Sequence, residues 1–345
     1  WINRPLYQSA MTDLNSLTPS DRQQPCLLCQ NSQFLQVARL DRRGHPLTTV
    51  LCPDCGLVSH EVIPDDQQLL DYYAREYRED YHGEFTPSPY RVLREWKRGQ
   101  ALLSLLANQL KPADRVLEIG SGIGCTVKSF DLAGFRASGI EPGEGFCRFS
   151  GDQLNADVKQ KTLEELVAGD DQQLVLLVHV LEHFNDPARS LRTVHQLLAN
   201  NGLCYLEVPN FAAPHAAPGR QFHFAHIYNY TADTLAMLAE SSGFVLQQQL
   251  SQPGDKNLQM LFRKTAGPAR PIQLPDNTTS RDRSLQALSK YNRLTYHLRW
   301  RYLRDRLGTI ISHRADRWRA ARRLARLLER CQATAVQPLS QKQAA

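Results

Sequence analysis

The stretch Val116–Thr126, VLEIGSGIGCT, decides the reading of the chain. Val116–Ile119 read as the end of a buried strand, Gly120, Ser121, Gly122, Ile123 and Gly124 as a tight turn, and the CTVKSFDLAG behind them as a helix. Glycines let a backbone approach a ligand closely, and the N–H groups that open the helix favour a carboxylate or phosphate. A second strand, RASGIEP, ends on Glu141, 21 residues after Gly120. A carboxylate at that place accepts the ribose hydroxyls of an adenosine.

Two details choose among adenosine-bearing cofactors. A dinucleotide fingerprint wants G-x-G-x-x-G, but Cys125 stands at the third glycine position. Glu118, two residues before Gly120, would repel a pyrophosphate and suits the ammonium of an amino acid. An adenosine with an amino-acid arm is S-adenosylmethionine. Together with the later HVLEHFNDP, the turn and the GIEP segment resemble the class I S-adenosylmethionine-dependent methyltransferases over roughly residues 112–265, in that family's order and spacing. The resemblance implies an α/β fold, a Rossmann-like sheet with helices on both faces. It implies cofactor contacts from Glu118, Gly120, Ser121, Gly122, Gly124 and Glu141, with Thr162 and Leu163 at the adenine turn and His179 beyond the fourth strand. Gln173 stands where that strand usually opens with Asp.

The carboxyl edge of an open α/β sheet is where ligands bind, and histidines and tyrosines gather there. His183 lies in the LEH segment. The loop NFAAPHAAPGRQFHFAHIYNYT carries His215, His223, His226, Tyr228 and Tyr230, with Thr231 as the cap of a helix that closes at Gly243. Such side chains can take a proton near neutral pH. His226 is the first candidate base, then His223 and Tyr228, with His183 as a further catalytic candidate. HFAHIYNYT also resembles a segment of bacterial methyltransferases with an N-terminal zinc-binding region, deoxysugar C-methyltransferases among them. Those enzymes carry Tyr-Glu-His where this chain has Phe224-Ala225-His226. Without the glutamate, the resemblance stops short of carbon methylation and leaves hydroxyl methylation open.

Upstream, CLLC (Cys26, Cys29) and CPDCG (Cys52, Cys55) are two C-x-x-C turns with 22 residues between them. Four thiolates make a closed tetrahedral site, the pattern of a structural Zn2+ rather than of catalysis. Cys125, Cys147, Cys204 and Cys331 stand alone and are expected to be buried or incidental. The Tyr-rich DDQQLLDYYAREYREDYHGEF is expected to be helical, packing its aromatic face or overhanging the site mouth with Tyr77, Tyr81 or His82.

Residues 281–345 hold 16 Lys and Arg against 4 Asp and Glu, a net of +12 in a chain of +6, so residues 1–280 carry −6. The basic character therefore belongs to the tail, and the body is not a general nucleic-acid binder. Leu285, Leu288, Tyr291, Leu294, Leu298, Tyr302 and then Leu307, Ile311, Trp318, Leu324 and Leu328 step at helical spacing. The readings are docking on the enzyme or a second copy, an anionic membrane surface, or RNA, with RNA the least favoured. The expected plan is a tail to residue 22, a zinc module at 23–64, a helical lid at 65–110 and the methyltransferase domain at 111–265. A linker at 266–282, basic amphipathic helices at 283–331 and a tail at 332–345 complete it. No apolar run of 18 residues exists, and the opening residues lack the layout of a secretion signal. A cytoplasmic location is expected, peripheral to a membrane if the tail rests on lipid, with Met11 the expected start and residues 1–10 upstream or processed.

The leading expectation is methyl transfer to a small-molecule or glycan acceptor of sugar type. One alternative is an RNA methyltransferase using the zinc module and basic tail to grip its substrate. Another is a non-catalytic zinc-and-helix scaffold with a degenerate methyltransferase fold.

Overall fold

A computed structural model describes residues 17–72, 87–167, 169, 171–213, 220–266, 279–290, 297–298 and 320–333. The expectations on Tyr77, Tyr81, His82 and His215, and most of those on the basic tail, lie outside the described residues.

The described residues form two sheets. The larger has seven strands in the order β11-β12-β9-β8-β5-β6-β7. Its members are β5 (Arg115–Ile119), β6 (Arg136–Ile140), β7 (Val158–Lys159), β8 (Gln172–Val178), β9 (Leu198–Pro209), β11 (Phe244–Gln249) and β12 (Asn257–Lys264). Only β12 runs antiparallel to its neighbours; β5 pairs in parallel with both β6 and β8. The strand order therefore reverses at β5, the switch point where open α/β sheets bind ligands. The glycine turn leaves the sheet exactly there in the chain, between β5 and helix α3 (Cys125–Leu132).

Burial explains the apolar runs. In β8, Val175 and Leu177 face one core with Leu191 and Val194 of α5 (Pro187–Leu197) and Leu235 and Leu238 of α6 (Ala232–Glu240). Leu174, Leu176 and Val178 face the other core with Leu102 and Leu106 of α2 (Pro89–Leu106) and Phe130 of α3. A central strand buried on both faces has no polar face to show, so its sequence cannot alternate. Pro89 opens α2, and a Cβ on Gly99 would stand 2.9 Å from the Thr126 Cα, so this glycine lets α2 and α3 approach closely. Residues 89–106, within the expected lid, thus form a packed layer of the domain. α4 (Glu144–Leu154) follows β6, and Thr231 caps α6 with Thr234 in a capping box.

The smaller sheet has the order β1-β2-β3-β4-β10. β1 (Thr18–Pro19), β2 (Leu35–Leu40), β3 (Pro46–Leu51) and β4 (Val58–His60) belong to the cysteine module, but β10 (Tyr228–Asn229) comes from the histidine loop and begins 168 residues after His60. Val58 faces Asn229 and Ser59 faces Tyr228 in antiparallel register. The His60 amide donates to the Ile227 carbonyl at 3.0 Å, and the Arg42 amide to the Phe222 carbonyl at 2.8 Å. Phe34, Val50 and Leu57 of the module share one buried cluster with Ile227, Tyr228 and Tyr230.

Two parts of the basic tail dock back on the chain. α7 (Thr279–Ser289) begins inside the expected linker, and its Ser280 and Ser284 hydroxyls donate to the carbonyls of Cys55 and Gly56, both at 2.7 Å. In the helix at 320–333, Leu327 and Cys331 are buried against Val92, Cys125 and Phe149, while Arg322, Arg323, Arg326 and Arg330 are exposed. Leu298, expected on the apolar stripe, is exposed. No described helix is long and apolar enough to cross a membrane.

Gly120 has a φ of 66°, and a Cβ there would meet Val180 Cγ2 at 2.5 Å. Gly120→Ala is therefore expected to destabilise the fold by about 1–3 kcal/mol through backbone strain and overpacking. Urea denaturation would register it as a lower midpoint with an unchanged slope.

Candidate active site

The glycine turn is built by three left-handed residues, with φ of 66° at Gly120, 53° at Gly122 and 76° at Gly124. A Cβ on Gly124 would stand 2.8 Å from Ser150 Oγ, but one on Gly122 would meet nothing within 4 Å. Gly122 thus borders open space. Ser121 is buried behind the turn, its amide donating to the Ile140 carbonyl at 2.9 Å. Glu141, just past β6, accepts from the Gly122 amide at 2.9 Å and from the Gly143 amide at 2.8 Å. Burial raises its pKa and those two amides oppose the rise. Each oxygen keeps a lone pair for a further donor.

Glu118 is a different kind of acid. It is buried on β5, and its Oε2 has no hydrogen-bond partner among the described residues. Burial pushes its pKa up to about 8, against the pull of Thr126 and Arg98. An acid held so is poised for a cationic ligand.

Beyond β8, His179 adopts a φ of 55°, and its amide donates to the Glu207 carbonyl at 2.7 Å. Its ring lies between Glu182, at 3.4 Å from Nδ1, and Glu207, at 3.3 Å from Nε2. Burial opposes its charge, but the two carboxylates prevail and raise its pKa to about 9. Glu207 is the buried hub of this network. It accepts from Tyr205 at 2.8 Å, Asn257 at 2.7 Å and Gln259 at 3.0 Å, and pairs with Arg98 at 3.4 Å. Burial would raise its pKa, but His179 and Arg98 hold it well below the usual carboxylate range. Sequence reasoning missed Glu207 and Arg98; the one available signal was an acidic residue in the apolar run CYLEVP.

The expected catalytic side chains come together at the same edge. Glu182 and His183 lie on the short turn Leu181–His183, and the His183 Nδ1 donates to the Ala225 carbonyl at 2.6 Å. The ring centroids of His183 and His226 are 5.1 Å apart, and those of His223 and His226 3.8 Å. Tyr228 is turned away: its hydroxyl donates to the Asn185 carbonyl at 3.1 Å, and burial pushes its pKa up to about 12. Phe224 packs on Tyr72 with centroids 4.7 Å apart. Leu163 is a buried core residue, and Thr162 forms a capping box with Glu165 at the turn after β7. His60, which sequence reasoning also missed, is buried beside the loop, and burial lowers its pKa to about 4.

In the module, the sulfurs of Cys26 and Cys55 are 3.5 Å apart and those of Cys29 and Cys52 3.3 Å, with all four within 4.8 Å of one another. Four thiolates about 2.3 Å from one zinc have this spacing, so the cluster is compatible with the ion. Cys125, Cys204 and Cys331 are buried and Cys147 is half-buried.

Residues 90–249 match the family model described as a methyltransferase domain. The chain carries a methyltransferase domain over these residues. Among solved structures, the Burkholderia thailandensis 1,6-didemethyltoxoflavin-N1-methyltransferase is similar at 19% identity, over 64% of this methyltransferase and 96% of that chain, with a TM-score of 0.44. The magnesium protoporphyrin IX methyltransferase of Synechocystis PCC 6803 is similar at 13% identity, over 58% and 100%, with a TM-score of 0.43. An S-adenosylmethionine dependent methyltransferase from Mesorhizobium loti is similar at 18% identity, over 48% and 98%, with a TM-score of 0.38. No curated protein matches the chain.

The Glu207 hub yields a stability prediction. Glu207→Ala strands the buried Tyr205 hydroxyl and the charges of Arg98 and His179, and is expected to cost about 3–5 kcal/mol. Glu207→Gln keeps an acceptor and is expected to cost less. Chemical denaturation of the two variants checks the order.

Proposed function

We propose that this methyltransferase takes its methyl group from S-adenosylmethionine and delivers it to a hydroxyl of a small-molecule acceptor of sugar type. The observation that carries the donor is Glu118, a buried acid with an unpartnered oxygen on the strand that feeds the glycine turn. A pyrophosphate would be repelled there, whereas the ammonium of an amino-acid arm supplies the missing donor. Glu141 accepts the ribose hydroxyls on the lone pairs that Gly122 and Gly143 leave, and Gly122 admits the cofactor because no side chain fills the space before it.

When bound, the cofactor supplies an electrophilic methyl that an oxygen takes in line. The chain's own task is alignment and removal of the acceptor proton. A histidine of the loop does this: His226 first, because it is half-buried at the edge beside Glu182, then His223, whose ring lies against it. Tyr228 ranks last because its hydroxyl is committed to Asn185 and stays protonated. The departure at Phe224-Ala225-His226 supports a hydroxyl over a carbon acceptor, since no carboxylate precedes His226 in the loop. The four cysteines hold a structural zinc that braces β4.

RNA as acceptor is the second reading, supported by the exposed arginines of the helix at 320–333. Methyl transfer from labelled S-adenosylmethionine into separated sugar, RNA, protein and lipid fractions tests the choice. Label in sugar or glycan is expected; label confined to RNA would overturn the acceptor class.

Glu118 makes the donor site pH-dependent. Its folded pKa of about 8 lies above its ordinary 4.5, so its contribution to ligand-free stability is present at low pH and is lost as pH rises toward 8. Binding of an ammonium favours the carboxylate. Affinity is therefore expected to rise as pH rises toward about 8, above which the ligand's own ammonium deprotonates, with a proton released on binding at pH 7. Glu118→Gln is expected to abolish that release and weaken binding by about 10- to 100-fold. Calorimetry in two buffers of different ionisation enthalpy reads both.

His226→Ala is expected to bind the cofactor normally and to lose transfer by about 100-fold or more. A wild-type transfer rate in this variant would sink the role of His226.

A further inference from the structure

Glu182 is 1% exposed, and neither of its oxygens has a hydrogen-bond partner among the described residues. A buried carboxylate without such partners is costly. Its Oε1 is nonetheless surrounded: His183 Nε2 lies 3.8 Å away, His226 Nε2 3.9 Å and His179 Nδ1 3.4 Å. The first two distances are too long for hydrogen bonds. They suit a different partner. Ligand atoms about 2.1 Å from one ion, at octahedral to tetrahedral angles, stand about 3.0–3.4 Å apart. The ligand atoms of Glu182, His183 and His226 all lie within 4.8 Å of one another, so a small inward movement closes the set.

The outer contacts match that arrangement. The His183 Nδ1–H donates to the Ala225 carbonyl at 2.6 Å, and Nε2 is the ring nitrogen that faces Glu182, 3.8 Å from its Oε1. The Oε1 of Glu182 is backed by His179, which in turn rests on Glu207. Two ligands sit on the turn that ends β8 and the third on the loop that β10 ties to the module, so both halves are anchored by strands.

We propose that Glu182, His183 and His226 bind a divalent first-row transition-metal ion at the acceptor edge of the sheet, separate from the four-cysteine site. Two imidazoles and one carboxylate leave positions open for an oxygen ligand. Its use there rests on the methyl-transfer reading. The acceptor hydroxyl occupies an open position, and its O–H bond breaks with the proton passing to His223, next to His226. The oxygen forms its bond to the methyl carbon as the carbon–sulfur bond breaks, and the electron pair of that bond leaves on a neutral thioether. With the ion bound, His226 is a ligand and cannot also take the proton, so the base becomes His223, the second-ranked histidine of the proposed function.

Co2+ titration of the full-length protein tests the site without any turnover. The protein is first dialysed until one zinc per chain remains on the cysteines. Wild type is expected to take up one equivalent of Co2+ with weak visible bands and no intense sulfur-to-cobalt absorption, the signature of nitrogen and oxygen ligands. Glu182→Gln and His226→Ala, checked for native circular dichroism, are expected to bind at least 100-fold more weakly. Uptake by the variants equal to wild type would overturn the proposal, as would no uptake by wild type up to 1 mM Co2+. S-adenosylmethionine titration of the same samples is read separately, so failure of the donor reading and failure of the metal site are distinguishable.

Discussion

The pairing of β4 with β10 is the contact on which the rest of the arrangement depends. It makes the histidine loop the fifth strand of the cysteine module's sheet, with Val58 against Asn229 and Ser59 against Tyr228. Two residues of strand are too few to hold a loop by themselves. The loop is held because its backbone groups are satisfied on both sides: Phe222 and Ile227 by Arg42 and His60 of the module, and Tyr230 by Phe211 at the end of β9. Arg22 reinforces the module side, donating to Ser59 Oγ at 2.6 Å and to the His60 carbonyl at 2.9 Å. His226 is thereby set opposite His183 and Glu182, which the central sheet positions independently. The site lies where the loop tied to the module's sheet meets the carboxyl edge of the central sheet.

The buried acids divide by how they are satisfied. Glu207 has five donors around it and serves the fold. Glu141 has two backbone donors and spare lone pairs. Glu118 and Glu182 each keep an oxygen without a hydrogen-bond partner among the described residues. Native proteins leave few such groups, and both stand at the carboxyl edge of the sheet next to the switch point. These two acids lie where a ligand is proposed to bind.

Much of this was legible in the sequence because its causes are local. The glycine turn, the strand-end Glu141 and the cap at Thr231 each depend on neighbours within a few residues or on one β-α-β unit, and the structure has them where the pattern put them. The paired C-x-x-C turns likewise predicted four converging sulfurs. The rest depends on contacts between distant parts of the chain. Arg98 meets Glu207 across 109 positions, and no periodicity reports such a partner. β10 is too short to read as a strand, so neither the module's role in holding the loop nor the position of His60 could be read. Tyr228 looked like a candidate base by residue type, but the Asn185 carbonyl that engages it is a tertiary contact. The linker ended earlier than expected because Ser280 and Ser284 find carbonyls on the Cys55–Gly56 knuckle, 225 and 228 residues away.

Hydrogen exchange of the wild type and of a Cys26→Ser, Cys55→Ser variant tests the central claim most directly: that the cysteine module holds the histidine loop in place. Protection is predicted to fall in peptides spanning Val58–His60 and Phe222–Tyr230, while peptides from β5, β8 and β9 keep theirs. Unchanged protection across Phe222–Tyr230 in that variant would contradict the account.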